Sequence, residues 1–109
     1  MSEPNIPEVD PTQVPADAYL LDVREPEEWQ AGHAPQATHV PLGQLAAHAG
    51  EIPTDRHVYV ICRSGGRSAQ ATQALNEGGW QASNVRGGMQ QWASAGLAMT
   101  SVDGEPRVA

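Results

Sequence analysis

A strand, a glycine loop and a helix follow one another without interruption at residues 58–79. Val58-Tyr-Val-Ile61 is β-branched or aromatic throughout, which is typical of a strand. It runs directly into Cys62-Arg-Ser-Gly-Gly-Arg-Ser68, after which an alanine-rich helix begins at Ala69 and ends at Gly78-Gly79. Because a strand that leads through a short loop into a helix is a building unit of parallel α/β sheets, this stretch constrains the fold more than any other.

The rest of the chain alternates between the same two kinds of segment. Short apolar or β-branched runs predict three more strands, at 18–24, 38–41 and 83–86. A proline and three carboxylates open a helix after the first of these strands, and Gly32 ends it. Apolar spacing predicts two further helices, at 42–52 and 89–95. The alternation predicts an α/β fold with an open parallel sheet.

The length of 109 residues predicts a single domain over 1–109. We expect an extended lead-in at 1–10, with a short edge strand at 6–9, and an irregular tail at 97–109. No apolar stretch approaches the roughly 18 residues of a membrane span, and the N-terminus lacks the basic and apolar regions of a secretory signal. We therefore expect a cytoplasmic protein that has no membrane partner.

The charged residues and the cysteine count exclude several classes of function. The chain has 13 acidic and 6 basic residues, the 6 are all arginine, and a net charge of −7 disfavours nucleic acid as the main partner. Without lysine there is no Schiff-base chemistry and no P-loop. The single cysteine, Cys62, forms no internal disulfide and no thiolate-rich metal site. His39, His48 and His57 show no ligand spacing, so we expect no bound metal.

The loop that begins at Cys62 has the composition of an anion-binding site. Gly65 and Gly66 allow positive φ angles, so several backbone N–H groups can point toward one anion. The following helix presents its positive N-terminus, and Arg63 and Arg67 add two full charges. Such surroundings favour a thiolate over a thiol, which predicts a nucleophilic cysteine. A lone cysteine is otherwise often a small buried hydrophobe, but two arginines and two glycines are poor core material.

Three further segments complete a pattern that spans nearly the whole chain. They are Leu21-Asp-Val-Arg-Glu-Pro-Glu-Glu-Trp29, then Ala31-Gly-His33 with Pro35, Ala37 and Pro41, and finally Asn84-Val-Arg-Gly-Gly88 with Trp92. With the cysteine loop, these motifs resemble the rhodanese family of sulfurtransferases. Ala34 departs from the pattern, since the family usually has a larger aliphatic residue there. The resemblance implies a three-layer fold in which helices flank both faces of a five-stranded parallel sheet.

The resemblance also implies a chemistry. Cys62 would take sulfane sulfur from a small anionic donor such as thiosulfate, hold it as a persulfide and pass it on, without metal or organic cofactor. Because the chain has no second thiol, the acceptor must be external: cyanide, a small thiol or a protein thiol. The donor would be bound by the arginine side chains and backbone N–H groups of the loop, Arg63, Ser64, Gly65, Gly66, Arg67 and Ser68.

A second group of residues is expected to support this site. Asp22 is interpreted as a buried carboxylate that binds backbone amides, and Arg24 as the partner of Glu28. His33 is interpreted as a hydrogen-bonded supporting residue rather than a general base, because a preformed thiolate needs no base. Gly88 and Trp92 complete the C-terminal motif, and the three tryptophans are assigned to packing, with Trp92 also a candidate pocket wall. Acidic residues at 25–28 form a solvated helix start or steer a basic partner.

Three alternatives remain open from the sequence. A cysteine phosphatase or arsenate reductase would have five residues between Cys and Arg, whereas here four separate Cys62 from Arg67 and Ser68 stands at the phosphatase arginine position. A redox sensor would need a resolving thiol. A sulfur carrier or protein-binding module would use the same cysteine with little turnover of its own.

Overall fold

Residues 6–109 are described by a computed structural model. The strands are β1 (Glu8–Val9), β2 (Tyr19–Asp22), β3 (Ala37–His39), β4 (Val58–Ile61) and β5 (Ala82–Val85). They form one parallel sheet in the order β1-β5-β4-β2-β3. The α-helices are α1 (Pro26–Ala31), α2 (Gly66–Glu77) and α3 (Gly88–Ser94). The predicted five-stranded parallel α/β fold is therefore confirmed.

Successive residues of the central strands point into two different cores, because side chains alternate across a strand. On one face, Leu21 and Val60 pack with Ala71 and Leu75 of α2. On the other face, strand residues pack with Met89 and Trp92 of α3. The buried residues of this second core are Leu20, Ala34, Ile61, Val85, Met89 and Trp92. The sheet is thus covered on both faces, as parallel sheets require.

The helix predicted over 42–52 is wrong. The structure has two short 3₁₀ turns there, Leu42–Gln44 and Ala49–Glu51. Glycine is a poor helix former, and Gly43 and Gly50 interrupt the segment. The apolar spacing is still used, because the turns bury Leu45 and Ile52 against the first core.

Both ends of the described chain pack on the sheet. The short edge strand predicted at 6–9 is confirmed as β1, which pairs with β5 at the sheet edge; residues 1–5 of the expected lead-in lie outside the described residues. The tail at 97–109 is irregular apart from one bridge, between Thr100 and His33. Its Leu97, Met99 and Val108 side chains pack against the second core.

The tail also explains why a glycine follows α1. Gly32 ends the helix, as predicted, and its extended backbone would suit any residue. A Cβ atom at this position would collide with the carbonyl oxygen of Arg107 and lie 2.7 Å from the Arg107 nitrogen. The Arg107 N–H donates to the Ala31 carbonyl at 2.9 Å, so the tail runs directly over the end of the helix. Gly32 is therefore needed for the close approach of two backbones.

Within residues 6–109, no helix combines the length and the apolar character needed to cross a membrane.

Candidate active site

Cys62 lies where the sheet ends and the longest helix begins. It directly follows β4, which is paired with β5 on one side and β2 on the other, and it precedes α2. The carboxyl ends of parallel strands meet at one edge of the sheet, where ligands bind in open α/β folds. The cysteine side chain is nearly buried, with 1% of the residue exposed. The fold therefore places this thiol at the typical position of a ligand site, under a cover of loop backbone.

Two glycines give the loop its shape. Gly65 has a φ of +112° and precedes the first residue of α2. Gly88 has a φ of +58°, and a Cβ there would collide with the Cys62 carbonyl oxygen and lie 2.7 Å from the Arg63 carbonyl group. Because Gly88 lets α3 approach, the Met89 and Gln90 N–H groups donate to the Cys62 and Arg63 carbonyls at 2.7 and 3.0 Å. The first turn of α3 thus holds the loop backbone in place.

The sulfur atom of Cys62 receives hydrogen bonds from the start of α2. The Gly65 N–H lies 3.1 Å from Sγ, and the Ser68 hydroxyl lies 3.2 Å from it. Burial by itself raises the pKa of the Cys62 thiol, but hydrogen bonds from the Ser68 hydroxyl and from the N–H groups of Ser68, Gly65 and Ser64 outweigh this, and the net pKa is lowered. These donors stabilise the thiolate, the form that acts as a nucleophile.

Asn84 extends this hydrogen-bond network and was not predicted as a site residue. Its side-chain oxygen lies 2.5 Å from the Ser68 hydroxyl, and its amide donates to Glu8 at 3.0 Å and to the Gly65 carbonyl at 3.2 Å. Because a hydroxyl has one proton, Ser68 donates either to Asn84 or to Cys62 at a given moment. The signal that could have identified Asn84 is a polar residue within the predicted strand at 83–86, three positions before Gly87-Gly88.

The two arginines of the loop have different partners. Both terminal nitrogens of Arg67 donate to the Glu28 carboxylate, at 2.7 and 2.8 Å. Arg63 is exposed, and its Nε donates to the main-chain oxygen of Ala109, the last residue of the sequence, at 3.0 Å. Ser64 and Gly66 are exposed at the loop surface. Of the two predicted donor-binding side chains, one is thus neutralised by a carboxylate.

The predicted ion pair between Arg24 and Glu28 is wrong. Arg24 pairs instead with Asp22, at 2.7 Å between Nη2 and Oδ2, and both side chains are completely buried. Arg24 also donates to the backbone carbonyls of Glu28 and Gly32, at 3.2 and 2.8 Å. The expected bond from Asp22 to backbone is present, because its Oδ1 accepts the Arg24 N–H at 3.1 Å. This buried pair ties the end of β2 to the last turn of α1 and to Gly32, which follows it.

His33 and Trp92 contact the framework of the site rather than the sulfur. The His33 ring lies 3.5 Å from the Trp29 ring in a parallel stack, and its Nδ1 bonds the Trp29 carbonyl at 2.6 Å. Trp29 stacks on His39 as well, at 4.8 Å. Trp92 is buried in the second core, and its N–H donates to the Ala98 carbonyl at 2.9 Å. These contacts hold α1 and α3 against the body of the domain.

Comparison with known proteins agrees with the fold and the cysteine loop described above. Residues 9–95 match the family model described as a rhodanese-like domain. A protein named sulfurtransferase from Allochromatium vinosum is 39% identical over 89 residues, which are 81% of this chain and 83% of that protein. A putative sulfur carrier protein of Bacillus subtilis, YrkF, is also 39% identical, over 74 residues that cover 67% of this chain and 40% of YrkF.

The crystal structure of a thiosulfate sulfurtransferase from Pseudomonas aeruginosa superimposes with a TM-score of 0.73 at 27% identity. The superposition covers 94% of this chain but 21% of the Pseudomonas protein, so this chain corresponds to a part of that longer protein. The match to the family model over most of the chain, together with the parallel sheet and the cysteine loop, shows that this chain belongs to the rhodanese-like domain family of sulfurtransferases.

Proposed function

We propose that this domain transfers sulfane sulfur from thiosulfate or a persulfide to an external thiol or to cyanide, through a persulfide on Cys62. The observation that carries the proposal is the position of Sγ, which accepts hydrogen bonds from the Gly65 N–H and the Ser68 hydroxyl at the start of α2. The same group of donors that stabilises a thiolate also stabilises the anions that arrive and leave during sulfur transfer.

Each half of the reaction balances without a further reactant. In the first half, the Cys62 thiolate attacks the outer sulfur of thiosulfate, the S–S bond of the donor breaks and sulfite leaves with the bonding electron pair. In the second half, an acceptor thiolate or cyanide attacks the outer sulfur of the Cys62 persulfide. The new bond forms on the acceptor, giving a persulfide or thiocyanate, and Cys62 returns to the thiolate.

The test of this proposal is mass spectrometry of the purified protein after incubation with thiosulfate. We expect the protein to gain about 32 Da, the mass of one sulfur atom, on Cys62, with release of one equivalent of sulfite. Addition of cyanide should remove the added mass and form thiocyanate. An unmodified Cys62 after treatment with thiosulfate and with an organic hydropersulfide would contradict the proposal, and phosphate release from an aryl phosphate would support the phosphatase alternative.

A sulfur carrier is the second candidate function, favoured by the likeness to YrkF. A carrier and an enzyme both form the persulfide, but they differ in turnover. With thiosulfate and cyanide in excess, an enzyme forms many equivalents of thiocyanate for each domain, whereas a carrier forms few until its protein acceptor is added. The time course of thiocyanate formation therefore separates the two functions.

The pH dependence of the thiolate provides an independent prediction. Because hydrogen bonds from the loop lower the pKa of Cys62, we expect thiolate absorbance and sulfur transfer to be lost with a midpoint below the pKa of an ordinary thiol, about 8.5, as the pH falls. The Cys62→Ser variant supplies the difference spectrum. The same chain unfolded in urea should titrate at the ordinary value, and Ser68→Ala should raise the folded midpoint. A folded midpoint at or above the unfolded one would contradict the described hydrogen bonds.

A further inference from the structure

The Glu28 carboxylate, which faces Arg67, is placed to select sulfur donors by their charge. We infer that Glu28 is a specificity-determining residue, which neutralises Arg67 and so favours sulfur donors of low charge, such as organic hydropersulfides, over dianions such as thiosulfate. The inference rests on the proposed function, because it concerns the donor in the same sulfur transfer. Four features of the site support it: the geometry of the pair, its anchoring, its location and the remaining charge of the loop.

The pair is bidentate and partly shielded from water. Nη1 and Nη2 of Arg67 lie 2.7 and 2.8 Å from the two carboxylate oxygens of Glu28. The Glu28 side chain is 17% exposed and the Arg67 side chain is 35% exposed. The hydrogen bond from Arg67 outweighs the effect of burial and lowers the pKa of Glu28 to about 2. The carboxylate therefore remains charged, and it cancels the guanidinium charge at every physiological pH.

Glu28 is fixed in place independently of Arg67. It is the third residue of α1, and its Oε1 accepts the N–H of Glu25, the residue before the helix, at 2.9 Å. This reciprocal contact is a capping box, which orients the side chain at the helix start. The Glu28 carboxylate thus belongs to the framework of α1, and Arg67 of α2 lies against it.

The pair is close enough to Cys62 to affect a charged substrate. The hydrogen bond to Glu28 is the largest cause that raises the pKa of Arg67, and the charge of the Cys62 thiolate raises it further. Arg67 also directly precedes Ser68, whose hydroxyl lies 3.2 Å from Sγ of Cys62, and it follows Gly65, whose N–H lies 3.1 Å from the same atom. A change in the charge of the pair therefore changes the electrostatic potential at the sulfur atom of Cys62.

The charges of the loop then sum to a value that disfavours a dianion. Arg63 contributes +1, the pair of Arg67 and Glu28 contributes 0, and the Cys62 thiolate contributes −1. A thiosulfate dianion meets no net positive charge from these four groups, whereas an organic hydropersulfide, which carries at most one negative charge at its sulfur, has less need of one. In that reaction Cys62 attacks the outer sulfur of R–S–SH, the S–S bond breaks and R–S⁻ leaves, so Cys62 becomes the hydropersulfide.

The test is a set of four proteins compared in steady-state sulfur transfer: the wild type, Glu28→Gln, Arg67→Ala and the double variant. Glutamine keeps an oxygen for the Glu25 N–H, and it loses the charge together with one of the two hydrogen bonds from Arg67. We expect the KM for thiosulfate to fall about tenfold in Glu28→Gln, as a unit charge near a protein surface allows, and to rise in Arg67→Ala. The double variant should resemble the wild type, because its charge is the same.

Two controls separate charge from other effects. With an organic hydropersulfide as donor, which carries at most one negative charge at its sulfur against two on thiosulfate, each charge-dependent change in kcat/KM should shrink from about tenfold to about threefold. Glu27→Gln removes an exposed carboxylate from the same helix turn, and it should leave kcat/KM unchanged with either donor. Circular dichroism verifies that each variant is folded.

The order of the KM values decides between this inference and a positioning role. If Glu28 serves to hold Arg67 ready for thiosulfate, Glu28→Gln raises the KM, and the double variant resembles Arg67→Ala; that order would overturn the inference while the persulfide on Cys62 still forms. Absence of the persulfide in the wild type would instead refute the proposed function. Should Glu28→Gln not fold, the dependence of the rate on ionic strength is the test. Because the chain has a net charge of −7, added salt should raise kcat/KM for thiosulfate slightly in the wild type and more strongly in Arg67→Ala. A strong fall in the wild type would overturn the inference.

Discussion

Cys62→Ser is expected to reduce sulfur transfer by at least about 10³-fold, to the background of the assay, while the protein remains folded. A serine hydroxyl is not ionised at neutral pH, so it offers no comparable nucleophile to the donor sulfur. It is slightly smaller than the thiol and can accept the same hydrogen bonds from Gly65 and Ser68, so the loop keeps its structure. Sulfite release from thiosulfate and release of R–S⁻ from a hydropersulfide measure the loss for both donor classes.

Two comparisons make this result interpretable. The unfolding transition in urea should have the same slope as that of the wild type, which shows that the variant unfolds from an equally compact state. Ala47→Ser introduces a serine at an exposed position far along the chain from the loop, and it should retain full activity. If Cys62→Ser kept a tenth or more of the wild-type rate, sulfur transfer would proceed without a cysteine persulfide, and the proposed mechanism would be wrong.

Asp22→Ala should lower the free energy of unfolding by about 3–5 kcal/mol, because it leaves the Arg24 guanidinium charged and buried without its counterion. Both side chains are 0% exposed, so water cannot replace the lost carboxylate. The carbonyls of Glu28 and Gly32 remain as acceptors for Arg24, but they carry no full charge. Urea unfolding followed by circular dichroism measures the difference. Asp22→Asn keeps an oxygen acceptor for Arg24, so it should lower the free energy of unfolding less than Asp22→Ala does. This variant can be measured if Asp22→Ala does not fold.

The exposed pair of Arg86 and Asp10 is the matched control for this prediction. Its atoms are also 2.7 Å apart, but the two side chains are 57% and 55% exposed. Asp10→Ala should therefore cost less than about 1 kcal/mol, because water and salt screen an exposed pair. Equal losses for Asp22→Ala and Asp10→Ala would show that burial of the Arg24 charge does not govern its contribution.

The strand, loop and helix around Cys62 could be predicted from sequence because local patterns specify them. Val58–Ile61 is apolar or aromatic at every position, and Gly65 supplies the positive φ that begins α2. The segment at 42–52 shows the opposite case, because apolar spacing alone does not distinguish one α-helix from two 3₁₀ turns. There the glycines determine the local conformation. The apolar spacing does not, because Leu45 and Ile52 are buried in the two 3₁₀ turns just as they would be in an α-helix.

Outside residues 42–52, the sequence by itself determined the succession of strands and helices along the chain, the parallel sheet, and the position of the only cysteine between a strand end and a helix start. Only the tertiary structure decided which charged and polar groups meet. Glu28 and Arg67 are 39 residues apart, and Ser68 and Asn84 are 16 apart. They meet because β4 lies between β2 and β5, so segments that follow neighbouring strands share one edge of the sheet. Pairing across that edge depends on the order of the strands in the sheet, which no local pattern specifies. It brought Glu28 to Arg67, whereas Arg24 pairs with Asp22, two residues before it in the chain.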